Sequence, residues 1–241
     1  TLSIGDTSGS TYFAFPTTIG HAGQVLEVPV SGNLLEWGTP SSSSDGSDDS
    51  CCTTDGSSFY VGNNPTGNSG YDTATGNTST GIDTLLSLTE GDNNTAMGTA
   101  AGKNLTTADD NVIIGSNAGD AITDGSSGHV LIGKDAGSAI TSGTTQVMIG
   151  YDAGLYTTTG TENAYIGYSA GRANVTGQAN IAIGYSAMRS NTQGSYNVAV
   201  GYKALFTNEA NALNDGKNVA IGYLAGYDVT TGQDGVYIGY Q

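Results

Sequence analysis

The chain has 241 residues with 38 glycines, 4 prolines and only 12% charged residues, a composition that points away from an ordinary globular enzyme and toward something periodic. Six Lys or Arg stand against 22 Asp or Glu, a formal charge of −16, so a phosphate-lined partner is repelled and nucleic-acid binding is not expected. Its apolar runs fall far short of the roughly 20 residues that cross a bilayer, and no basic-then-apolar leader opens the chain, so no membrane insertion is expected.

The first predicted element is an alternating apolar run, Gln24-Val25-Leu26-Glu27-Val28-Pro29-Val30, separated by Ser31-Gly32-Asn33 from Leu34-Leu35-Glu36-Trp37. This reads as a β-hairpin, and residues 1–39 as a small N-terminal attachment or cap domain. Residues 40–58 are rich in Ser, Asp and Gly and read as a linker. Their Asp cluster lacks the ligand order and closing Glu of a calcium loop, so no metal site is expected. Cys51 and Cys52 are adjacent, which suits neither a metal site nor an ordinary intrachain disulfide; free thiols and interchain bridges stay open, and with them the redox state. A start at Thr1 and an end at Tyr240-Gln241, two residues past a repeat landmark, mark the chain as a piece of a longer polypeptide.

Residues 59–241 are expected to form a β-solenoid, degenerate over 59–93 and regular over 94–241. The landmark is a glycine closing a short apolar run: Gly98, Gly115, Gly133, Gly150, Gly167, Gly184, Gly201, Gly222 and Gly239, mostly 17 residues apart. Before each stands a residue such as Ile114, Ile132 or Ile183, and two positions earlier one such as Val112, Val130 or Ile181. Period two with β-branched residues predicts a strand that sends these side chains into one core. Alanine three residues after each glycine, from Ala101 to Ala225, predicts a tight corner, and further glycines mark bends. The one 21-residue step is assigned to extra residues in 208–216, in a loop. Thr84-Leu85-Leu86-Ser87-Leu88, at the degenerate end, reads as irregular strand in preference to a helical turn.

A unit this small cannot bury its apolar face alone, so coils must stack, and stacking puts equivalent residues in columns. Four before the glycine the column holds Asn94, Asn111, Asn163, Asn180, Asn197 and Asn218, with His129 and Gln146 in two coils; it is expected to be a structural ladder of amides bonding along the axis. Just after the glycine a column of Tyr151, Tyr168, Tyr185, Tyr202, Tyr223 and Tyr240 appears. It reads either as an architectural ladder or as a platform for sugar rings. Apolar residues two before the glycine, among them Ile113, Leu131, Met148, Tyr165 and Tyr237, alternate away from the expected core; a second buried surface between chains, and hence a homotrimer, would account for them.

The units NAYIGYSAG (163–171), NIAIGYSAM (180–188), NVAVGYKAL (197–205) and NVAIGYLAG (218–226) resemble the repeats of bacteriophage tail-fibre and related virion appendage proteins. They are also similar to the head repeats of trimeric autotransporter adhesins, whose coils are usually shorter. Gly20-His21-Ala22-Gly23-Gln24-Val25-Leu26 with Leu35-Glu36-Trp37-Gly38 resembles a hairpin module of phage fibres. The resemblance implies an all-β homotrimeric virion fibre protein at the virion surface or outside a cell. Its partners would be itself, other virion proteins and a host-surface glycan; the alternative is a bacterial cell-surface adhesin head.

Catalytic chemistry finds little to work with. His21 and His129 are the two histidines, no nucleophile turn accompanies them, and the glycines recur by coil rather than within one phosphate-cradling turn. No enzyme activity, catalytic residue or cofactor is expected.

Overall fold

The computed structural model of the chain describes residues 25–27, 36–38, 53–54, 59–62 and 74–241 apart from 124, 208–215 and 231. It divides into two units, Thr1–Asp48 and Asp49–Gln241. In the first, β1 (Val25–Glu27) pairs antiparallel with β2 (Glu36–Gly38), Leu26 opposite Trp37. The turn between them, the remainder of 1–39, most of the 40–58 linker, and Cys51 and Cys52 lie outside the described residues.

The second unit is an all-β solenoid with no helix among the described residues. It begins with β3 (Thr53–Thr54), inside the segment read as a linker, which pairs antiparallel with β4 (Phe59–Gly62). One strand per coil then follows: β5 (Thr78–Gly81), β6 (Thr95–Met97), β7 (Val112–Ile114), β8 (Val130–Ile132), β9 (Val147–Ile149), β10 (Ala164–Ile166), β11 (Ile181–Ile183), β12 (Val198–Val200), β13 (Val219–Ile221) and β14 (Val236–Ile238). Together with β3 and β4 they form one 12-stranded sheet in strict sequence order, parallel from β4 onward. Val200 sits opposite Ile221, so the residues inserted before β13 leave the register intact. Gly62 sits opposite Gly81, which makes Gly81 a landmark glycine too. Thr78-Ser79-Thr80 before it, in place of a Val-x-Ile run, hides it from an apolar pattern.

To close a ring around a three-residue strand the chain must turn sharply several times. At Gly184 φ is +134°, and a Cβ there would lie 2.4 Å from the carbonyl oxygen of Gly201 in the next coil. Only glycine satisfies both conditions. Left-handed residues follow two and four positions later, as at Ser186 (φ 52°) and Met188 (φ 51°), each non-glycine costing on the order of 1 kcal/mol that packing must offset.

The strand faces the opposite way from the sequence expectation. The position two before the glycine is the buried one: Ile113, Leu131, Met148, Tyr165, Ala182, Ala199 and Ala220 are all fully buried. The Val and Ile columns beside it point outward, half-buried in most coils, with Ile183 38% and Met97 53% exposed. Stiff β-branched side chains suit an outer pleated face, while the interior requires side chains of varied volume. From β7 to β12 that volume runs inversely to that of the residue four after the glycine, whereas Ala96 with Gly102 and Ala220 with Gly226 are small at both positions. Where the residue four after is Gly154 or Gly171, the inner residue is large: a Cβ on Gly154 would lie 2.3 Å from the Met148 sulfur, and one on Gly171 2.5 Å from the Tyr165 ring. Where it is Met188 or Leu205, the inner strand residue is Ala182 or Ala199.

Thr84–Leu88 is likewise corrected. It forms a corner turn, not a strand; Leu85 takes the left-handed position four after Gly81 (φ 50°), and both Leu85 and Leu88 are buried. A left-handed residue in mid-segment rules out an extended run.

Ala182→Met should overpack the coil beside Met188 and lower stability by about 1–3 kcal/mol. Adding Met188→Gly recreates the large-small pairing of the preceding coils and should recover most of that loss. Thermal melting of both single variants and the double variant measures the coupling; strictly additive losses would refute the packing account.

Candidate functional site

The amide column lies inside the coil. Asn94, Asn111, Asn163, Asn180, Asn197 and Asn218 are all buried, as are His129 and Gln146. Each side-chain oxygen accepts the backbone N–H of the equivalent residue in the next coil: Asn94 from Asn111 at 3.1 Å, Asn163 from Asn180 at 3.0 Å, Asn180 from Asn197 at 3.0 Å, Asn197 from Asn218 at 3.0 Å. The amide nitrogens donate to carbonyls at a bend, Asn94 to Ala108 at 2.9 Å and Asn180 to Gly194 at 2.8 Å. One side chain thereby satisfies a buried donor and a buried acceptor, each costing about 1–3 kcal/mol if left unmade.

His129 performs the same task in its coil. Its Nδ1 accepts the Gln146 N–H at 3.2 Å, so the proton sits on Nε2, which faces the Ser126 hydroxyl at 3.1 Å; Ser126 in turn donates to the Gly143 carbonyl. Burial holds the imidazole neutral and pulls its pKa down to about 4. It is a ladder residue with its lone pair committed, not a free general base.

The tyrosine column is brought together at the surface. Tyr151, Tyr168, Tyr185, Tyr202, Tyr223 and Tyr240 stack in order, with ring centroids 5.0–5.3 Å apart and planes within 12°. The Lys134 ammonium sits 5.2 Å from the centre of the Tyr151 ring. Because the faces are turned to one another, an interior ring presents its edge and hydroxyl to solvent, not a face on which a sugar could lie. Tyr202 is 39% and Tyr168 47% exposed, in keeping with an edge-on ladder.

Beside this column lies a groove of about 360 Å³ that sequence reasoning did not single out. Arg172, Arg189 and Lys203 line it together with Asp152, Tyr185 and Phe206. Arg172 bonds the Asp152 carboxylate at 3.2 Å and the Tyr156 hydroxyl at 3.3 Å. Arg189 lies over the Phe206 ring at 5.9 Å, and Lys203 lies 5.2 Å from the same ring and 5.4 Å from that of Tyr202. The signal was available: Arg172 and Arg189 both stand five after a landmark glycine, in consecutive coils.

No group of three or more His, Cys, Asp or Glu among the described residues is placed to hold a metal ion. No described helix is long and apolar enough to cross a membrane. No protein-family model, curated protein or solved structure matches the chain. The fold itself, a parallel β-solenoid of about 17 residues per coil, is of the kind found in repeat-type fibre proteins.

The depressed pKa of His129 makes the ladder acid-sensitive. The unfolded imidazole titrates near 6.5 and the folded one near 4, so between these values the unfolded chain binds more protons. Stability is complete above about pH 6.5 and falls as pH drops toward 4, by on the order of 3 kcal/mol at most. His129→Asn should keep the ladder and lose this component. Melting temperatures of both proteins from pH 7 to pH 4 provide the check, and parallel curves would overturn it.

Proposed function

We propose that the chain is a structural segment of a bacteriophage fibre or virion appendage, its β-solenoid serving as shaft and its N-terminal unit as attachment or cap. Its place is the virion surface or the extracellular side, where it supports host attachment. The observation that carries the reading is the outward Val and Ile ladder. It gives the outer face of the sheet a continuous apolar stripe, with Ile181, Ile183 and Ile221 40%, 38% and 42% exposed, of the kind that copies of one chain bury against each other. Three copies around an axis would cover it, and the motif resemblance favours that number. The same resemblance supports a bacterial cell-surface trimeric adhesin head as the second reading.

The groups expected of an enzyme do not argue against this. His129 is committed to the amide ladder, Asp83, Asp135 and Asp152 pair with cations, and Asp92 and Asp109 accept the backbone N–H of Thr75 at 2.6 Å and of Asp92 at 2.8 Å.

Sedimentation equilibrium at micromolar concentration should return a trimer. Ile166→Ser with Ile183→Ser, on the outward face, should weaken it about tenfold or more while each chain keeps its β signature; a wild-type chain that stays monomeric sinks the proposal. For the tyrosine ladder, Tyr223→Ala with Tyr240→Ala, two stacked rings that do not line the groove, should lower the melting temperature and leave attachment to host cells intact. Lost attachment in a fully folded double variant would assign the ladder a direct role in recognition.

A further inference from the structure

We infer that the groove between the tyrosine ladder and Phe206 binds an acidic saccharide, a sugar carrying a carboxylate or sulfate group, through Arg172, Arg189 and Lys203. The inference deepens the attachment half of the proposed function and rests on it only for where such a sugar would come from.

The first reason is the placement of charge. The chain has six Lys or Arg in total against 22 acids, and three of the six line this one groove. Cations scattered to neutralise the acids would not collect in this way. Only Asp152 offers a carboxylate there, and it is engaged by Arg172. Arg189 and Lys203 meet aromatic rings and, among the described residues, no carboxylate.

The second reason is the ladder. Arg172 and Arg189 occupy the same position in consecutive coils, about 4.8 Å apart along the axis. Stacking equivalent residues helps amides and tyrosines, whereas cations gain nothing from an equal neighbour, and here the heads part: Arg172 reaches back to Asp152 and the Tyr156 ring at 4.8 Å, Arg189 forward to the Phe206 ring. The position holds Lys103, Asp120, Ser138 and Leu155 in earlier coils and Phe206 in the next; Lys103 pairs back to Asp83 as Arg172 does to Asp152, whereas Arg189 has Ser169 at the corresponding place and no such partner among the described residues. An anion in the groove would give Arg189 and Lys203, which meet only aromatic rings among the described residues, charge-assisted contacts. Arg172 has spent two of its five N–H donors on Asp152 and Tyr156, which leaves three for a ligand.

The third reason is the kind of wall that surrounds the charge. The rim carries the edges of Tyr168 and Tyr185, the floor the hydroxyl-bearing Ser169 and Ser186, and one end the Phe206 ring. Phenol and serine hydroxyls suit the hydroxyls of a sugar. A densely charged polyanion is disfavoured, because the net charge of −16 repels it beyond the groove, whereas a single anionic group reaches the cations inside one Debye length of about 8 Å. The Tyr168 and Tyr185 hydroxyl-bearing edges at the rim, with ring centroids 5.1 Å apart, would let two neighbouring sugar units be held in succession.

The experiment titrates the purified chain with trigalacturonate, with its methyl ester, and with a sulfated galactan trisaccharide, and follows binding by calorimetry. Trigalacturonate or the sulfated sugar should bind saturably, the methyl ester at least about tenfold more weakly, and affinity should fall as salt rises. Tighter binding of the uronate identifies carboxylate as the ligand group; tighter binding of the sulfated sugar identifies sulfate. Arg189→Gln with Lys203→Gln should abolish binding, Arg189→Lys should retain part of it, and Lys134→Gln, outside the groove, should bind as wild type. Circular dichroism and melting confirm that each variant is folded. Equal binding of acid and ester, unchanged binding in the folded double variant, or no saturation by either anionic sugar overturns the inference. A folded trimer that binds neither sugar overturns the groove and leaves the shaft standing; a monomer that binds does the reverse.

Discussion

The structure depends on one steric condition: a coil can lie a single strand spacing from the next only if the residue that closes its strand has no side chain. At Gly115, Gly133, Gly150, Gly167, Gly184 and Gly201 an added Cβ would fall 2.2–2.4 Å from a carbonyl oxygen of the glycine one coil on, well inside contact distance. Each of these glycines also holds a φ between 134° and 139° that side chains disfavour. The glycine column therefore sets both the pitch and the direction in which the chain leaves the strand. Every other column inherits its spacing from it.

Fixed pitch turns each position into a one-dimensional array, and whether the array stabilises depends on what an equal neighbour does at about 4.8 Å. An amide is its own complement, so the asparagine column closes a chain of hydrogen bonds through the interior. Tyrosine rings stack at that distance with favourable contact. Cations gain nothing from an equal neighbour, and the Arg172 and Arg189 heads part accordingly, one back over the Tyr156 ring and the other over the Phe206 ring of the next coil. His129 and Gln146 show how far the amide rule bends, for each supplies an acceptor of equivalent reach: the Gln146 N–H meets His129 Nδ1 and the Asn163 N–H meets Gln146 Oε1, both at 3.2 Å.

Much of this was legible in the sequence, because a repeat averages out local ambiguity: coil length, strand position, corner alanines and the membership of both polar columns all follow from aligning glycines. The phase of the strand was not. Val and Ile before the glycine look like core by composition, and the variable residue between them, from Ala to Tyr, looks like surface. The variation is in fact the mark of the interior: from β7 to β12 the sizes run inversely, Tyr165 with Gly171 and Ala182 with Met188, as touching residues require. Alternation from the buried asparagine would have given the same answer, because four before and two before the glycine share a face. The groove stayed hidden for a different reason. Its residues belong to three separate columns, and only the turn geometry after the glycine brings them together.

With the β-branched columns outside, the forces acting between chains can be weighed. Each copy carries −16, so association works against a repulsion that salt screens beyond about 8 Å. The apolar stripe gains on the order of 25 cal/mol for each Å² it buries; that gain and the screened repulsion both accumulate coil by coil, whereas the translational and rotational cost of association is met once. A long solenoid is thus better able to associate than a short one of the same charge density. The same accounting explains why the few cations would be poorly used as neutralisers: spread along the acidic surface they would yield exposed ion pairs worth about 0–1 kcal/mol each, while collected in one groove they create a local field of the opposite sign to the whole molecule.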